Sequence, residues 1–357
     1  MPRHKWDPVC PEPKGLVRPV RLDPAGITGP TRRQAAGRGW RRTSPRFYVP
    51  SSTPTDVPEQ RILEQSVRLP AGGAVTGWAA CRLHRVGLID GLAPDGVTRL
   101  PVPLVIGRDS RIRGDEQVVL LRQPLEPTDM TTRYGIPCTR MERAAFDAMR
   151  LADDEREAAV VPSMVAAAKR SSLVRMQEYV DAHPGLHGVG QARRALELAT
   201  EHFRSPNEVR VYLVWLLDAG LPAPWPNADV FDRQGRLLGV ADLLDHEAGL
   251  AVEYDGEDHR GKARHTRDVR KEDAFRRVGI EVVRVTGTDL LDRPLVVDRM
   301  LAGRPRALFE PVEDRRWYAH KPEDRVEREL LEQEALRELN ALVESQPLPD
   351  IDELKRM

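Results

Sequence analysis

The spacing of apolar and polar positions is most regular between residues 205 and 305. Ser205, Pro206 and Glu208 predict the start of a helix, because Ser caps helix N-termini, Pro fits the first turn and Glu can complete a capping box. Gly220 is a typical helix stop. Apolar runs separated by polar turns then predict three strands, a charged helix and a last strand, at 228–231, 237–244, 250–252, 266–278 and 280–285.

The predicted order is therefore α-β-β-β-α-β, an α/β unit at 205–305 of roughly the size of one domain. The pattern before it is less uniform. We predict a flexible basic leader at 1–24, a mixed α+β region at 25–155, a helical connector at 156–204 and a charged helical tail at 306–357. A weak apolar stripe in the tail fits packing on its own chain or on a partner.

Charge is unevenly distributed although the net charge is zero. The first 50 residues contain eleven Lys or Arg and three Asp or Glu. Such a basic segment fits contact with a nucleic acid, and it equally fits a solvated, disordered leader. No apolar run is long enough for a membrane helix, so no membrane contact is expected. Three widely spaced cysteines and the absence of a signal-peptide pattern predict a cytoplasmic protein.

Carboxylates cluster at the predicted strand ends of the α/β unit. Asp242 lies on the second strand, and Glu253 and Asp255 follow the third. A short turn between neighbouring strands would bring these side chains to one edge, where they repel each other unless a cation is bound. Oxygen ligands suit Mg²⁺ (or Mn²⁺), and a metal-bound water can attack a phosphodiester. Ordinary turn and strand-end carboxylates are the alternative interpretation.

Further polar residues follow this cluster. His259 could act as a general acid or base or contact a phosphate. Basic residues of the next helix, including Arg267, Arg270 and Lys271, could bind DNA phosphates, although acidic neighbours make a salt-bridged solvent face equally consistent. A zinc site built from His246, His259 and His265 has no supporting cysteine spacing.

Several motifs of this unit occur together and in order, namely 237–242, the sequence Glu-Tyr-Asp-Gly at 253–256 with His259, Arg267 with Asp268, and 279–285. They resemble the very-short-patch-repair-like endonuclease domains of the PD-(D/E)XK, restriction-endonuclease-like superfamily. The resemblance implies a restriction-endonuclease-like core. It also implies metal binding by Asp242, Glu253 and the main-chain carbonyl of Tyr254, with a helix glutamate, Glu208, joining the site. A capping role is the other explanation for Glu208.

One position departs from the superfamily pattern. The lysine expected two residues after the glutamate is Asp255 here. An aspartate cannot stabilise an attacking hydroxide or negative charge in the transition state. Either His259 or an arginine of the next helix takes that role, or activity is weak or lost.

A looser resemblance concerns the front of the chain. Basic residues including Arg41 and Arg42 precede the short aromatic run Phe47-Tyr48-Val49. This pattern resembles the wing of the winged helix in AbiEi-like type IV antitoxins. Only 31–39 is available for a preceding helix, so the resemblance implies an abbreviated winged helix in which Arg41 and Arg42 contact DNA.

Two functions follow as hypotheses. The first is a Mg²⁺-dependent DNA endonuclease, a hydrolase acting through an Asp/Glu metal site. The second is a catalytically silent, nuclease-fold DNA-binding protein that acts as an antitoxin-like transcriptional regulator. DNA is the expected partner of both, and a toxin or other protein is a second expected partner.

Overall fold

The computed structural model describes residues 10, 12–256 and 270–345, with side chains described up to residue 341. Within these residues the chain is a mixed α/β structure with three β-sheets. No helix in the described part of the chain is long and apolar enough to cross a membrane.

The first sheet lies in the basic N-terminal region. It has the order β1-β3-β2, with β1 (Val20–Arg21), β2 (Trp40–Ser44) and β3 (Phe47–Pro50) all antiparallel. Within the predicted leader, residues 20–21 therefore pair with a strand. The predicted helix before the wing is the single turn α1 (Arg32–Ala35), capped by Thr31. It is shorter than the available segment because glycines at 37 and 39 follow it.

The second sheet has the order β6-β5-β4-β8-β7. Its strands and the helices packed beside it are α2 (Pro58–Ser66), β4 (Ala74–Val75), α3 (Gly77–Leu83), β5 (Val102–Val105), β6 (Val118–Leu121), β7 (Met130–Arg133) and β8 (Ile136–Thr139). Four helices follow: α4 (Met141–Leu151), α5 (Glu155–Ala167), α6 (Leu173–Ala182) and α7 (Val189–Leu198). This agrees with the helical pattern of the sequence.

The third sheet contains the predicted α/β unit and has the order β12-β11-β10-β9-β13. The elements are α8 (Pro206–Leu213), β9 (Trp225–Asp232), β10 (Leu237–Asp245), β11 (Leu250–Asp255), helix α9 (described over 270–277), β12 (Glu281–Thr286), α10 (Arg293–Gly303), β13 (Trp317–Ala319) and α11 (Val326–Ser345). The order α-β-β-β-α-β is thus observed from α8 to β12. Among the described strands of this third sheet, only β11 and β12 pair in parallel.

The C-terminal segment differs from the prediction in one respect. The sheet extends beyond residue 305, because β13 pairs with β9 and forms an edge of the sheet inside the segment predicted as a helical tail. Three residues are too few to give a recognisable sequence period. The predicted charged helix is α11, which packs on α6 of the same chain through Glu327 and Glu334, both bound to Arg175.

Helices cover both faces of the third sheet. Leu243 and Val252 are opposite each other and belong to the large apolar core that continues into the helical region. The neighbouring pair, Leu244 and Ala251, belongs to a smaller core with Phe275 of α9. Successive residues of these strands are therefore buried on opposite faces of the sheet. The large core lies between one face of the sheet and helices α8 and α10, and α9 packs on the opposite face.

Candidate active site

The candidate site lies where the two central strands of the third sheet separate. β10 and β11 pair only from Leu243 to Asp245. Beyond that point β11 continues beside β12, and β10 continues beside β9. Asp242 is the first β10 residue past the paired segment, and its Oδ2 accepts a hydrogen bond from the backbone N–H of Tyr254 at 2.8 Å. The carboxylate of Asp242 is thereby fixed in the opening between the strands.

Glu253 lies on β11 at the same opening. Its side chain is only 12% exposed, and its Oε2 accepts a hydrogen bond from Lys271 Nζ. Its Oε1 is buried and has no hydrogen-bond partner in the described part of the molecule. Burial, followed by the negative charge of Asp242, raises the pKa of Glu253 to about 8, although Lys271 acts in the opposite direction. A buried carboxylate with an unused oxygen is poised for another cationic partner.

Lys271 reaches this carboxylate from α9. Its Nζ also donates to the carbonyl of Val240, at 3.1 Å. The aliphatic part of Lys271 passes over Gly239, where an added Cβ would lie 2.6 Å from Cγ and 2.9 Å from Cδ. Gly239 thus leaves the space that the lysine needs. The sequence placed Lys271 only among phosphate-contacting residues. Two features of the sequence could have indicated the position of Lys271: residue 255 is not a lysine, and the next predicted helix contains one.

Glu208 lies near Asp242 on the α8 side of the sheet. Its carboxylate accepts from the N–H of Arg204 at 2.9 Å, from Ser205 Oγ at 3.0 Å and from Asn227 Nδ2 at 2.7 Å. Burial and then the charge of Asp242 raise its pKa. Ser205 caps the helix as predicted, accepting from the N–H of Glu208. The Glu208 carboxylate, however, accepts from the backbone N–H of Arg204, the residue before the cap. The full capping box, in which it would accept from the backbone N–H of Ser205, therefore does not form.

Asn207, another α8 residue, was not among the predicted site residues. Its amide donates to the hydroxyl of Tyr254, which connects the helix to β11 beside Glu253. Arg210 in turn donates to Asn207 Oδ1 at 2.6 Å. An asparagine at the second helical position carries no recognisable sequence signal, because only the strand arrangement brings it to Tyr254.

Asp255 is separated from the buried pair. Its side chain is 55% exposed, and its Oδ2 lies 3.8 Å from Arg284 Nη1. Arg284 is the β12 neighbour of Glu253 in the sheet register, and its Nη2 pairs with Glu272 of α9. Asp255 is thus bound to an arginine at the rim. Glu253 is the deeply placed carboxylate.

The predicted DNA-contacting residues lie in different surroundings. Arg270 is exposed on α9. Arg41 forms a two-point ion pair with Glu64 of α2, at 3.0 and 2.7 Å, and Arg42 Nε donates to the carbonyl of Ser44 at 3.4 Å. The charge of Arg41 is therefore balanced within the protein. His259 and Arg267 lie outside the described residues.

Within the described ranges, no group of three or more His, Cys, Asp or Glu side chains is arranged to hold a metal ion. Asp242 and Glu253 form a pair, and Glu208 interacts with Asp242 electrostatically. His246, one of the three histidines considered for zinc, is stacked on Trp225 with ring centroids 4.2 Å apart.

Comparison of the chain with protein-family models, curated proteins and solved structures finds no significant match in any of the three.

Proposed function

We propose that this protein is a divalent-cation-dependent DNA endonuclease with a restriction-endonuclease-like core. The observation that carries the proposal is the buried Oε1 of Glu253, which has no hydrogen-bond partner among the described atoms, next to the carboxylate of Asp242 and the ammonium of Lys271. Buried charges need compensation. Lys271 supplies one positive charge at the site. Once Asp242 and Glu253 are both ionised, the site carries excess negative charge, which favours binding of a cation.

The donor set fits a hard cation such as Mg²⁺ or Mn²⁺. Asp242 and Glu253 supply carboxylate oxygens, and a strand residue directs its N–H and C=O to the same side, so the Tyr254 carbonyl also faces β10. Mg²⁺ takes few protein ligands and retains waters, so two carboxylates and one carbonyl suffice. When bound, such an ion lowers the pKa of a coordinated water and neutralises charge on the phosphoryl group.

The protein's own groups complete the chemistry. Lys271, anchored by Val240 and Glu253, holds an ammonium where it can donate to a phosphate oxygen as negative charge develops there. It supplies from α9 the positive charge that the lysine missing at position 255 would have provided. Glu208, held by three donors, adds negative charge behind Asp242 and keeps the cation preference of the site.

The resemblance of the sequence motifs supports the same reaction class. The order α-β-β-β-α-β is the one that the resemblance implies, and Asp242 and Glu253 occupy neighbouring strands at one opening. DNA is the proposed substrate, with phosphate contacts from the exposed face of α9 that carries Arg270.

The test is a cleavage assay on plasmid and single-stranded DNA with Mg²⁺, with Mn²⁺ and with chelator. Asp242→Ala and Glu253→Ala are expected to remove activity. Asp229→Ala is the matched control, because Asp229 is an exposed carboxylate on the neighbouring strand β9 and is expected to retain activity. Absent cleavage, or equal cleavage by all four proteins, contradicts the proposal. DNA binding without cleavage would instead support the antitoxin-like regulator.

A further inference from the structure

A cavity lies away from the carboxylate site, and none of the carboxylate-site residues lines it. Its volume is about 540 Å³, and its walls are the end of α3, the β7–β8 hairpin, the turn between α5 and α6, and α11. Cavities of this size hold small-molecule ligands. Seven Lys or Arg residues line it against two Glu, so it is a strongly cationic cleft.

Arg170 lines the cationic cleft from the turn between α5 and α6. Its Nε is buried and has no hydrogen-bond partner in the described part of the chain. Burial and the nearby charge of Arg85 lower the pKa of this guanidinium. A guanidinium has only donors, so the missing partner must be an acceptor, and a negative one would also relieve the repulsion from Arg85.

The two acids of the cleft have other partners. Glu142 accepts from Ser171 Oγ at 2.7 Å. Glu334 receives two bonds from Arg175, at 2.6 and 2.9 Å. Neither acid accepts from Arg170 Nε. Lys169 is paired with Glu329 and Arg175 with Glu327. The other five arginines of the cleft form no ion pair within the described residues, so the cleft keeps an excess of positive charge.

His84 adds no charge and instead orients Arg133. Its Nε2 lies 2.8 Å from the carbonyl of Thr139, which can only accept, and its Nδ1 lies 3.4 Å from Arg133 Nε, which can only donate. These partners fix the neutral tautomer with Nδ1 as the acceptor. Burial lowers the pKa of His84, in agreement with a neutral ring.

The backbone around the cleft is also unusual. Three of its residues that are not glycine have left-handed backbone angles: Arg85 (φ 69), Tyr134 (φ 51) and Lys169 (φ 53). Such conformations are costly for L-residues and concentrate at ligand sites. Here they lie in the turns that carry three of the cleft's walls.

We propose that the cationic cleft binds a phosphate-bearing anion of about nucleotide size. Arginine guanidinium groups match phosphate oxygens with paired hydrogen bonds, and a multiply charged phosphate ester would satisfy Arg170 while neutralising its neighbours. The phosphate can belong to a free nucleotide or to the 5′ end of a nucleic acid strand. This site is independent of the proposed nuclease chemistry.

The test is calorimetric titration of the full chain with ATP, inorganic triphosphate, and one oligonucleotide with and without a 5′-phosphate. Arg170→Met removes the guanidinium whose Nε has no partner. Arg140→Ala removes an exposed cation of the cleft rim and is the second variant in case Arg170→Met does not fold. Arg193→Ala is the matched control, because this half-buried α7 arginine, paired with Asp181, does not line the cleft.

The expected result is binding of at least one phosphate probe, weakened about tenfold to hundredfold in each cleft variant and unchanged in Arg193→Ala. Tight binding of ATP and triphosphate assigns a free nucleotide, and binding only of the 5′-phosphorylated oligonucleotide assigns a strand end. Either result supports the proposal. No binding of any probe at millimolar concentration, or equal weakening by Arg193→Ala and the cleft variants, overturns it.

Discussion

The Asp242→Asn substitution removes one negative charge from the carboxylate site and keeps an acceptor for the Tyr254 N–H. We expect the cation-free variant to be more stable than the wild-type protein, because the charge of Asp242 raises the pKa of both Glu253 and Glu208. The same variant is expected to lose stabilisation by Mg²⁺. A substitution that stabilises the fold and removes ligand binding is expected at a site whose residues serve function at a cost in stability.

The magnitude follows from Glu253. A rise of its pKa from 4.5 to about 8 corresponds to a cost of roughly 5 kcal/mol for keeping this carboxylate ionised in the folded protein. Burial is the larger cause and Asp242 the second. We therefore expect removal of the Asp242 charge to recover about 1–2 kcal/mol at pH 9, where Glu253 is ionised.

The sign of the pH dependence is fixed by the same shift. Between pH 4.5 and about 8 the folded protein keeps a proton on Glu253 that the unfolded chain has released. Stability of the cation-free protein therefore falls as pH rises through this window. The neutral amide of the variant removes the contribution of Asp242 to this raised pKa, while that of burial remains. Stability should therefore fall less with pH in the variant, and its advantage over the wild-type protein should be larger at pH 9 than at pH 6.

The assay is urea unfolding in chelator at pH 6 and pH 9, with thermal unfolding in Mg²⁺ as the second readout. Asp229→Asn, an exposed change on the neighbouring strand, is the control and should alter stability by less than about 0.5 kcal/mol. Destabilisation by Asp242→Asn at pH 9, or full Mg²⁺ stabilisation of the variant, would refute the reasoning.

Three other predictions concern α9 and the strand beneath it. Gly239→Ala places a methyl group against the aliphatic part of the Lys271 side chain and should reduce the cleavage rate about as much as loss of the lysine. Gly190→Ala, at an open position of α7, should leave the cleavage rate unchanged. Equal rates for both alanine variants would count against the contact between Gly239 and Lys271. Lys271→Met keeps the stem and removes the charge, so single-turnover cleavage should fall by about 10²–10³-fold, and an unchanged rate would exclude Lys271 from the chemistry. Phe275→Ala empties a fully buried position and should cost about 3–5 kcal/mol in urea unfolding; a loss below about 1 kcal/mol would mean that α9 is not anchored there.

Much of the third sheet could be predicted because its signals are local. Ser205 and Pro206 define the start of α8, and the β-branched run at 280–285 gives β12 to within one residue. β13 could not be predicted, since its three residues gain their conformation from pairing with β9. The separation of β10 from β11 is likewise a property of the whole sheet.

The candidate site was predictable in its residue types and less so in its arrangement. Asp242 and Glu253 carry a signal because acids are rare beside buried strand positions. The ion-pair partner of Asp255 is Arg284, which lies 29 positions further along the chain. The place of Lys271 depends on how α9 packs over Gly239. Tertiary contacts of this kind leave no period in the sequence.

The central claim is that Glu253 takes part in cation-dependent phosphodiester cleavage. The most direct measurement is the rate of plasmid cleavage in Mg²⁺ by the wild-type protein and by Glu253→Gln, which changes one carboxylate oxygen to an amide and keeps the shape of the side chain. We predict cleavage by the wild-type protein that chelator abolishes, and a rate at least about 100-fold lower in the variant. Equal rates in the two proteins, or no cleavage by the wild-type protein, would contradict the account.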